Sequence, residues 1–577
     1  MRVRMILAFV VLTATAVFGQ TFRGTILGTV TDTSGAVVSG AKVEAKNVAT
    51  GLQRTTQTSA DGSYSIPELP LGTYTVTISQ TGFQTAITTG VVVDVATERR
   101  VDAALKTGQV TERVEVSGED LPQVETTSAE LGGTLTSETI ANTPVNGRDY
   151  TKLIYLNPGV SGSPDQISDS PGSFGTFSMN GSRGRANNFL LDGTDMNDGF
   201  RNDPAINEAG VFGDPATILP IDAVAELRVL SNYEAEYGRN SGAVVNIVTK
   251  SGTNQVHGSL LEYNRTSSIG GARNYFNSAG GQDPFHNNQF GGSLGGPIVK
   301  DKTFFYVDYE GQRESGAQSG QSCVPDPAVI AATEAGIALK GETVNPVSLA
   351  LLARDPWPTP NLASGVSDQS GCTSPNLAIS TRFKNRVDSF IGKIDHNFNA
   401  SNLLTGRYYF GDSDQSFPFA QLAGGLLPGF NTTTPTRVQL VALSYVKIVN
   451  SNQLNEARLG WNRFAEGFFP EDHTFNPSSI GLNTGVTSPF DFGLPKITVG
   501  NFSVIGATNS VPRSRVDSNW HFIDNYSWKF GRHDVKFGYE FRRTTIQLIQ
   551  DNTFRGRIGF DSIPDPNPNP INPPLRT

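Results

Sequence analysis

From residue 254 onward, apolar and polar side chains alternate over long stretches. Val535, Phe537, Tyr539 and Phe541 fall on one face of an extended chain, with Lys536, Gly538, Glu540 and Arg542 on the other. Just before them, Trp520, Phe522, Tyr526, Trp528 and Phe530 oppose His521, Asn525, Ser527 and Lys529. Leu404, Gly406, Tyr408 and Phe410 alternate with Thr405, Arg407 and Tyr409, as do Thr303, Phe305, Val307 and Tyr309 with Tyr306, Asp308 and Glu310. A strand crossing a membrane shows one lipid face and one lumen face in this way over about 10 positions. The links sort themselves too. Short ones (Lys300–Lys302, Asn399–Asn402, Asn450–Asn452, Gly531–Asp534) alternate with long ones (Glu314–Thr381, Gly411–Pro435, Gly467–Asn519). Short turns at one end and long loops at the other are what an antiparallel transmembrane barrel requires, and a soluble sandwich has no reason to sort them.

The N-terminus agrees with export. Arg2 and Arg4 precede an apolar run, Met5 to Phe18, that ends at Gly19-Gln20. The run is short of the roughly 20 residues of a spanning helix and has the layout of a signal peptide, residues 1–19. An exported chain without another apolar helix can re-enter a membrane only as strands. Charged residues are 17% of the chain, below the roughly 25% of soluble domains. The net charge of −9, with no basic block, argues against a nucleic-acid partner.

Residues 20–106 form a small all-β module. Tyr64 and Ile66 alternate with Ser63 and Ser65, and Tyr74, Val76 and Ile78 alternate with Thr and Ser. Turn signals sit at Asp32–Gly35 and Asp61-Gly62. Gly28, Asp32, Gly35, Ala41, Val43, Asp61-Gly62, Tyr64, Leu69, Gly72, Tyr74 and Gly82-Phe83 together resemble the carboxypeptidase regulatory-like domain, a transthyretin-like, carbohydrate-binding-like sandwich. Most of these residues are turn glycines and core aromatics, so a structural spacer is expected rather than a sugar site.

Residues 119–253 are rich in Gly, Asn and Asp. Gly181-Ser182-Arg183-Gly184-Arg185 before Asn187-Asn188-Phe189-Leu190-Leu191-Asp192-Gly193 resembles the plug of TonB-dependent outer-membrane receptors. So does Tyr237-Gly238 followed by Gly242–Gly252. With the regulatory-like module in front, the order resembles the Oar-like branch. The resemblance implies an all-β-dominated protein: a sandwich, an α/β plug and a barrel from 254 to 577, in the outer membrane of a Gram-negative bacterium. It implies TonB, outer-membrane lipid and an extracellular solute as partners. The linker 107–118 lies where the family keeps its TonB box, and Glu112, Arg113, Val114, Glu115 and Val116 resemble one. An exposed strand can add to a partner's sheet by main-chain bonds. The other readings of that segment, a last strand of the sandwich or a plain linker, stay open.

No enzyme constellation emerges, and no cofactor is expected. The six His are scattered, with no H-E-x-x-H and no phosphate-binding loop. Gly291–Gly296 matches a dinucleotide motif only loosely and is expected at a strand tip. Asp192–Gly199 is acidic but lacks EF-hand spacing, which favours a turn over a cation site. Cys323 and Cys372, the only cysteines, share one long loop, and an even count in an oxidising compartment favours one disulfide. Nine or ten strands are recognisable, against about 22 in plugged transporters. The final Pro564–Thr577 tract reads as loop. The chain therefore reads as an incomplete barrel. The expectation is an unclosed sheet partly wrapping the plug, with Val535–Ile549 at its free edge.

Overall fold

The computed structural model describes residues 23–560 except 96, 110–112, 118–130, 146–147, 163–176, 208–209, 212–213, 234–236, 270–282, 363–365, 369–370, 419–424, 451, 508–510, 531–532 and 551–554. The signal-peptide run and the final Pro/Asn tract lie outside the described residues.

The N-terminal module is a sandwich of two sheets. One orders Ser63–Leu69, Gly24–Asp32 and Glu98–Arg100, with Ala103–Leu105 also beside Gly24–Asp32. The other orders Gln53–Gln57, Lys42–Asn47, Gly72–Ser79, Thr85–Val93 and Arg113–Ser117. The inward residues of the alternating strands (Ile26, Val30, Val43, Tyr64, Ile66, Tyr74, Val76 and Ile78) close one apolar core. Both buried tyrosines still satisfy their hydroxyls: Tyr64 donates to Val101 O at 2.6 Å and Tyr74 to Pro70 O at 2.7 Å. Gly28 is needed because a Cβ there would lie 2.0 Å from Val101 O.

The plug is built on a five-stranded sheet ordered Leu131–Thr136, Val224–Asn232, Val244–Thr249, Asn188–Leu191 and Thr194–Asp195. Its one α-helix among the described residues, Ser137–Asn142, and the Tyr150–Leu156 turn pack on it through Ile140, Tyr150, Leu153 and Ile154. Around it runs a meander of nine long antiparallel strands: His257–Thr266, Phe285–Val299, Thr303–Ser322, Leu377–Asn399, Asn402–Phe417, Thr436–Asn450, Gln453–Pro470, Arg513–Phe530 and His533–Gln550. The two-residue strand Thr432–Thr433 completes ten. Among the described residues the first and ninth do not pair with each other, so the sheet is open and His533–Gln550 forms one edge, as expected. Trp520, Phe522, Trp528, Phe537 and Tyr539 are exposed on the outer face, whereas His521, Asn519 and Asp517 are buried inside.

The strands run further toward the long-loop end than the sequence suggests. Glu314–Ser322 continues to pair with Leu377–Asn385, so the first long connection is 323–376 rather than Glu314–Thr381. The others shrink to 418–435 and 471–512 for the same reason. A membrane needs about 10 residues per strand, so strands of this length project beyond it. The three connections then share a small core with Leu377 at the start of its strand: Val324, Leu427, Phe430, Leu494, Ile497 and Ile505. Cys323 and Cys372 are bonded there, with Cα atoms 5.8 Å apart. Two helices, Pro327–Leu339 and Pro346–Leu352, replace expected loop; each starts with a side-chain cap, Asp326 or Asn345, followed by Pro. Gly291–Gly296 is a further correction. It sits within a strand, paired on both sides, not at a tip. A Cβ on Gly291 would lie 2.2 Å from Tyr309 O, so close strand approach explains the glycine.

Candidate functional site: the plug seated in the barrel

The acidic segment Asp192–Gly199 leaves the plug sheet after Asn188–Leu191. Asp192 takes a left-handed backbone (φ 47°) and Gly193 follows at φ 70°, which turns the chain toward the barrel wall. The turn presents three buried carboxylates at regular spacing, and each meets barrel cations. Asp192 lies 3.2 Å from Arg407 and 3.6 Å from Lys393. Asp195 pairs with Arg542 at 2.9 Å and with the plug's own Arg239 at 2.7 Å. Asp198 meets Arg515 at 2.8 Å, and Arg515 also reaches Glu466 at 3.2 Å. These are the positions weighed as a cation site from sequence. Here they are spent on arginine and lysine, and no metal-binding cluster occurs among the described residues.

Main-chain groups of the same turn are held as well. Arg407 donates to Leu191 O at 2.7 Å, Arg458 to Gly193 O at 3.1 Å, and Asn462 to Asp195 O at 3.2 Å. Backbone Asp195 N donates to His521 Nδ1 at 3.4 Å. Farther round the wall the polarity reverses. The plug's Arg148 reaches barrel Glu310 at 2.9 Å, and Tyr409 donates to Ile218 O at 2.7 Å. Six barrel strands thus grip the plug. Burial pushes the Asp192 carboxyl up, but Lys393, Arg407 and two hydrogen bonds from Thr249 pull harder, so it rests below its ordinary value. Asp203, at the end of the same turn, is pushed up to about 7 by burial and by Asp198. Removing one partner of a buried pair costs about 3–5 kcal/mol, because the other charge is stranded.

The sandwich is docked under this assembly. Plug strand Val224–Asn232 holds both main-chain groups of one sandwich residue: Val95 N donates to Glu226 Oε2 at 2.6 Å, and Arg228 Nη1 donates to Val95 O at 2.7 Å. Burial, set against the Val95 bond and reinforced by Asp94, pushes the Glu226 carboxyl up to about 8. Leu52 packs with barrel residues Leu403, Val446 and Leu454.

The candidate TonB-box residues are not with the plug. Glu112 lies outside the described residues. Arg113, Val114, Glu115 and Val116 belong to Arg113–Ser117, which pairs in parallel with Thr85–Val93 as the edge strand of the sandwich. That is the strand alternative left open by the sequence. The arginines that bind the plug were visible only as polar positions on the lumen face; the alternation identified that face for Arg407 and Arg542 but gave no partner. Glu226, Arg228, Arg148 and Arg239 carried no local signal.

Comparison with known proteins agrees with this architecture. The Outer membrane beta barrel domain family matches residues 248–570, and the Carboxypeptidase regulatory-like domain family matches residues 25–106. The TonB-dependent transporter Oar of Myxococcus xanthus is 31% identical over 310 residues, covering 51% of this chain and 27% of that protein. Among solved structures, the outer-membrane transporter YddB of Escherichia coli is 14% identical, with a TM-score of 0.45, covering 72% of this chain and 48% of its own. The ferric enterobactin receptor PfeA of Pseudomonas aeruginosa is 16% identical, with a TM-score of 0.41, covering 72% and 49%. The chain therefore spans about a quarter of the curated relative and about half of these solved chains. A barrel match across more than half of the chain, the fitted plug and the sandwich in front together make it a member of the outer membrane β-barrel family, homologous to the Oar transporter and resident in the Gram-negative outer membrane.

Proposed function

We propose that the chain acts as a TonB-dependent receptor for active uptake of a scarce extracellular solute of the siderophore, glycan or oligopeptide class. The observation that carries this reading is the seating of Asp192–Gly199 against Lys393, Arg407, Arg515 and Arg542. A plug fastened by several buried ion pairs has to be drawn from its seat before the space it fills can open, and that takes an outside source of work. TonB, drawing on the inner-membrane proton gradient, is the agent the homology supplies. In this reading Glu112–Val116 is its contact segment. An edge strand suits that role, since it can leave one sheet and add to another by main-chain bonds. The solute is moved, not transformed, and no catalytic step is assigned.

The test is to fasten the plug covalently. Thr194 Cβ lies 3.3 Å from the Cβ position of a side chain at Gly460, close to disulfide range. With Thr194→Cys and Gly460→Cys, oxidation should abolish any growth phenotype that depends on both this gene and TonB, and reduction should restore it. A phenotype indifferent both to oxidation and to loss of TonB would favour adhesion, scaffolding or secretion support instead.

A further inference from the structure

Where the sandwich meets the short-turn end of the barrel, a cavity of about 330 Å³ opens between them. Arg54 lines it from the sandwich strand Gln53–Gln57. Lys529 and Lys536 line it from either side of the last hairpin turn, beside Trp528, and the acids Glu68 and Glu98 complete its charged lining. Arg54 is only 4% exposed. Its Nη1 donates to Ala400 O across the junction. Its Nε and Nη2 have no acceptor, and it makes no ion pair among the described residues. Burial, and then the nearby Arg23, push its pKa down to about 9, against a smaller opposing pull from Tyr74 and Glu68. Arg23 approaches Arg54 at this junction, and no carboxylate is bonded to Arg54 among the described residues.

The unfilled donors are not an arbitrary pair. Nε–H and Nη2–H point in parallel along one edge of the guanidinium, the edge that takes two oxygens of a phosphate or carboxylate at once. A buried guanidinium left unpaired is costly, and an anion that meets both free donors in good geometry offsets part of that cost. The surroundings fit a phosphate joined to a small polar group. The cavity exceeds one phosphate, lysines flank it, and Glu68 and Glu98 disfavour a larger polyanion. Trp528 is exposed on the outer face next to Lys529, the pairing that marks the water–lipid boundary.

We propose that this junction is an anion site for one phosphate-bearing group, with the Nε/Nη2 edge of Arg54 as its principal contact and Lys529 and Lys536 as flanking charges. The bound group then ties the sandwich to the barrel rim, and either a phospholipid headgroup or free phosphate supplies the same chemistry. The full chain in detergent is tested with two probes: inorganic phosphate by equilibrium dialysis, and phosphatidylglycerol retention by native mass spectrometry after exposure to doped phosphatidylcholine vesicles. One equivalent of at least one probe should bind saturably. Arg54→Gln should weaken it tenfold or more and Lys536→Gln several-fold, while the exposed Arg100→Gln leaves it unchanged. Retention of the lipid alone assigns a headgroup, and binding of both assigns the phosphate as sufficient. If neither probe saturates, or if binding survives both Lys536→Gln and a folded Arg54→Gln, the proposal is overturned. Lys536→Gln decides the matter if Arg54→Gln fails to fold.

Discussion

The sandwich and the plug are both small β-units with apolar cores, yet they are held in place by opposite means. The sandwich keeps charges out of its own core, which closes on Ile26, Tyr64, Tyr74 and Val76. Its ion pairs Lys42–Glu44 and Arg100–Asp102 lie at the surface. The plug places Asp192, Asp195 and Asp198 in the interior and answers them with cations from another unit. A unit that only has to stay folded is served by area removed from water, which has no direction. A unit that has to stay seated in one orientation and yet be released is served by directional pairs whose partners lie on a different element. The plug's fit is therefore fragile to single changes in a way the sandwich's surface is not.

The largest effect expected from this contrast is at Asp192. Asp192→Ala strands Lys393 and Arg407, which are 4% and 1% exposed at the side chain. The cost should be about 3–5 kcal/mol in plug seating. Limited proteolysis across Asn188–Gly199 in increasing urea reads it. Protection equal to wild type would show that the ion pairs do not hold the plug.

Next comes the apolar counterpart. Tyr74 is fully buried in the sandwich and bonded to Pro70. Tyr74→Ala should cost about 3 kcal/mol in cooperative unfolding of a 22–117 module while leaving plug protection in the full chain as it was. Loss of plug protection as well would mean that the two units are not independent, and the contrast would fail.

The junction between them supplies the third test. Glu226 carries a carboxyl raised to about 8 from an ordinary 4.5. Below about pH 4.5 the group is protonated whether docked or not, so burial carries no ionisation penalty. As pH climbs toward 8 the undocked form ionises first, and docking weakens progressively; above 8 the penalty is complete. Sandwich–plug crosslinking through Leu71→Cys and Val248→Cys, which share one apolar cluster with Val95 in the docked form, should fall between pH 5 and pH 8.5 at matched thiolate fraction. Glu226→Gln should flatten the profile. A profile that stays steep in Glu226→Gln would assign the effect to another group.

How much of this was legible beforehand follows from the range of each signal. The lipid and lumen faces of Arg513–Phe530 and His533–Gln550 repeat every two residues, so a short window carries them. The plug was legible because its turn residues, Gly184 to Gly193, form a compact motif. The ion pairs were not. Asp195 and Arg542 meet only after the whole meander has wound round the plug, and no periodicity links residues so far apart. The Pro327–Leu339 helix was signalled by Asp326-Pro327, but its apolar run gave no amphipathic face to confirm it. Arg113–Ser117 shows a third case: an alternating strand pattern was visible, while its partner, Thr85–Val93, is settled by tertiary pairing.

The smallest effect tests the contrast most directly. Arg100 and Asp102 lie 2.7 Å apart, as close as Arg239 and Asp195 in the plug. The side chains of the first pair are 46% and 52% exposed, and those of the second 23% and 0%. Distance is equal, so any difference in worth comes from what surrounds the charges. In solvent, attraction is screened and each ion keeps its hydration when the other is removed, so a pair of this kind contributes between zero and about 1 kcal/mol. Arg100 also donates to Thr29 Oγ1 at 3.3 Å, and Asp102 accepts from Thr29 N at 2.7 Å, a bond that survives loss of the arginine. Arg100→Gln should therefore shift the unfolding of the 22–117 module by less than about 0.5 kcal/mol and the shift should shrink in high salt. A loss near 2 kcal/mol that salt does not reduce would show that burial is not what separates the two kinds of pair, and the explanation of how the plug is held would have to rest on its hydrogen bonds to main-chain groups instead.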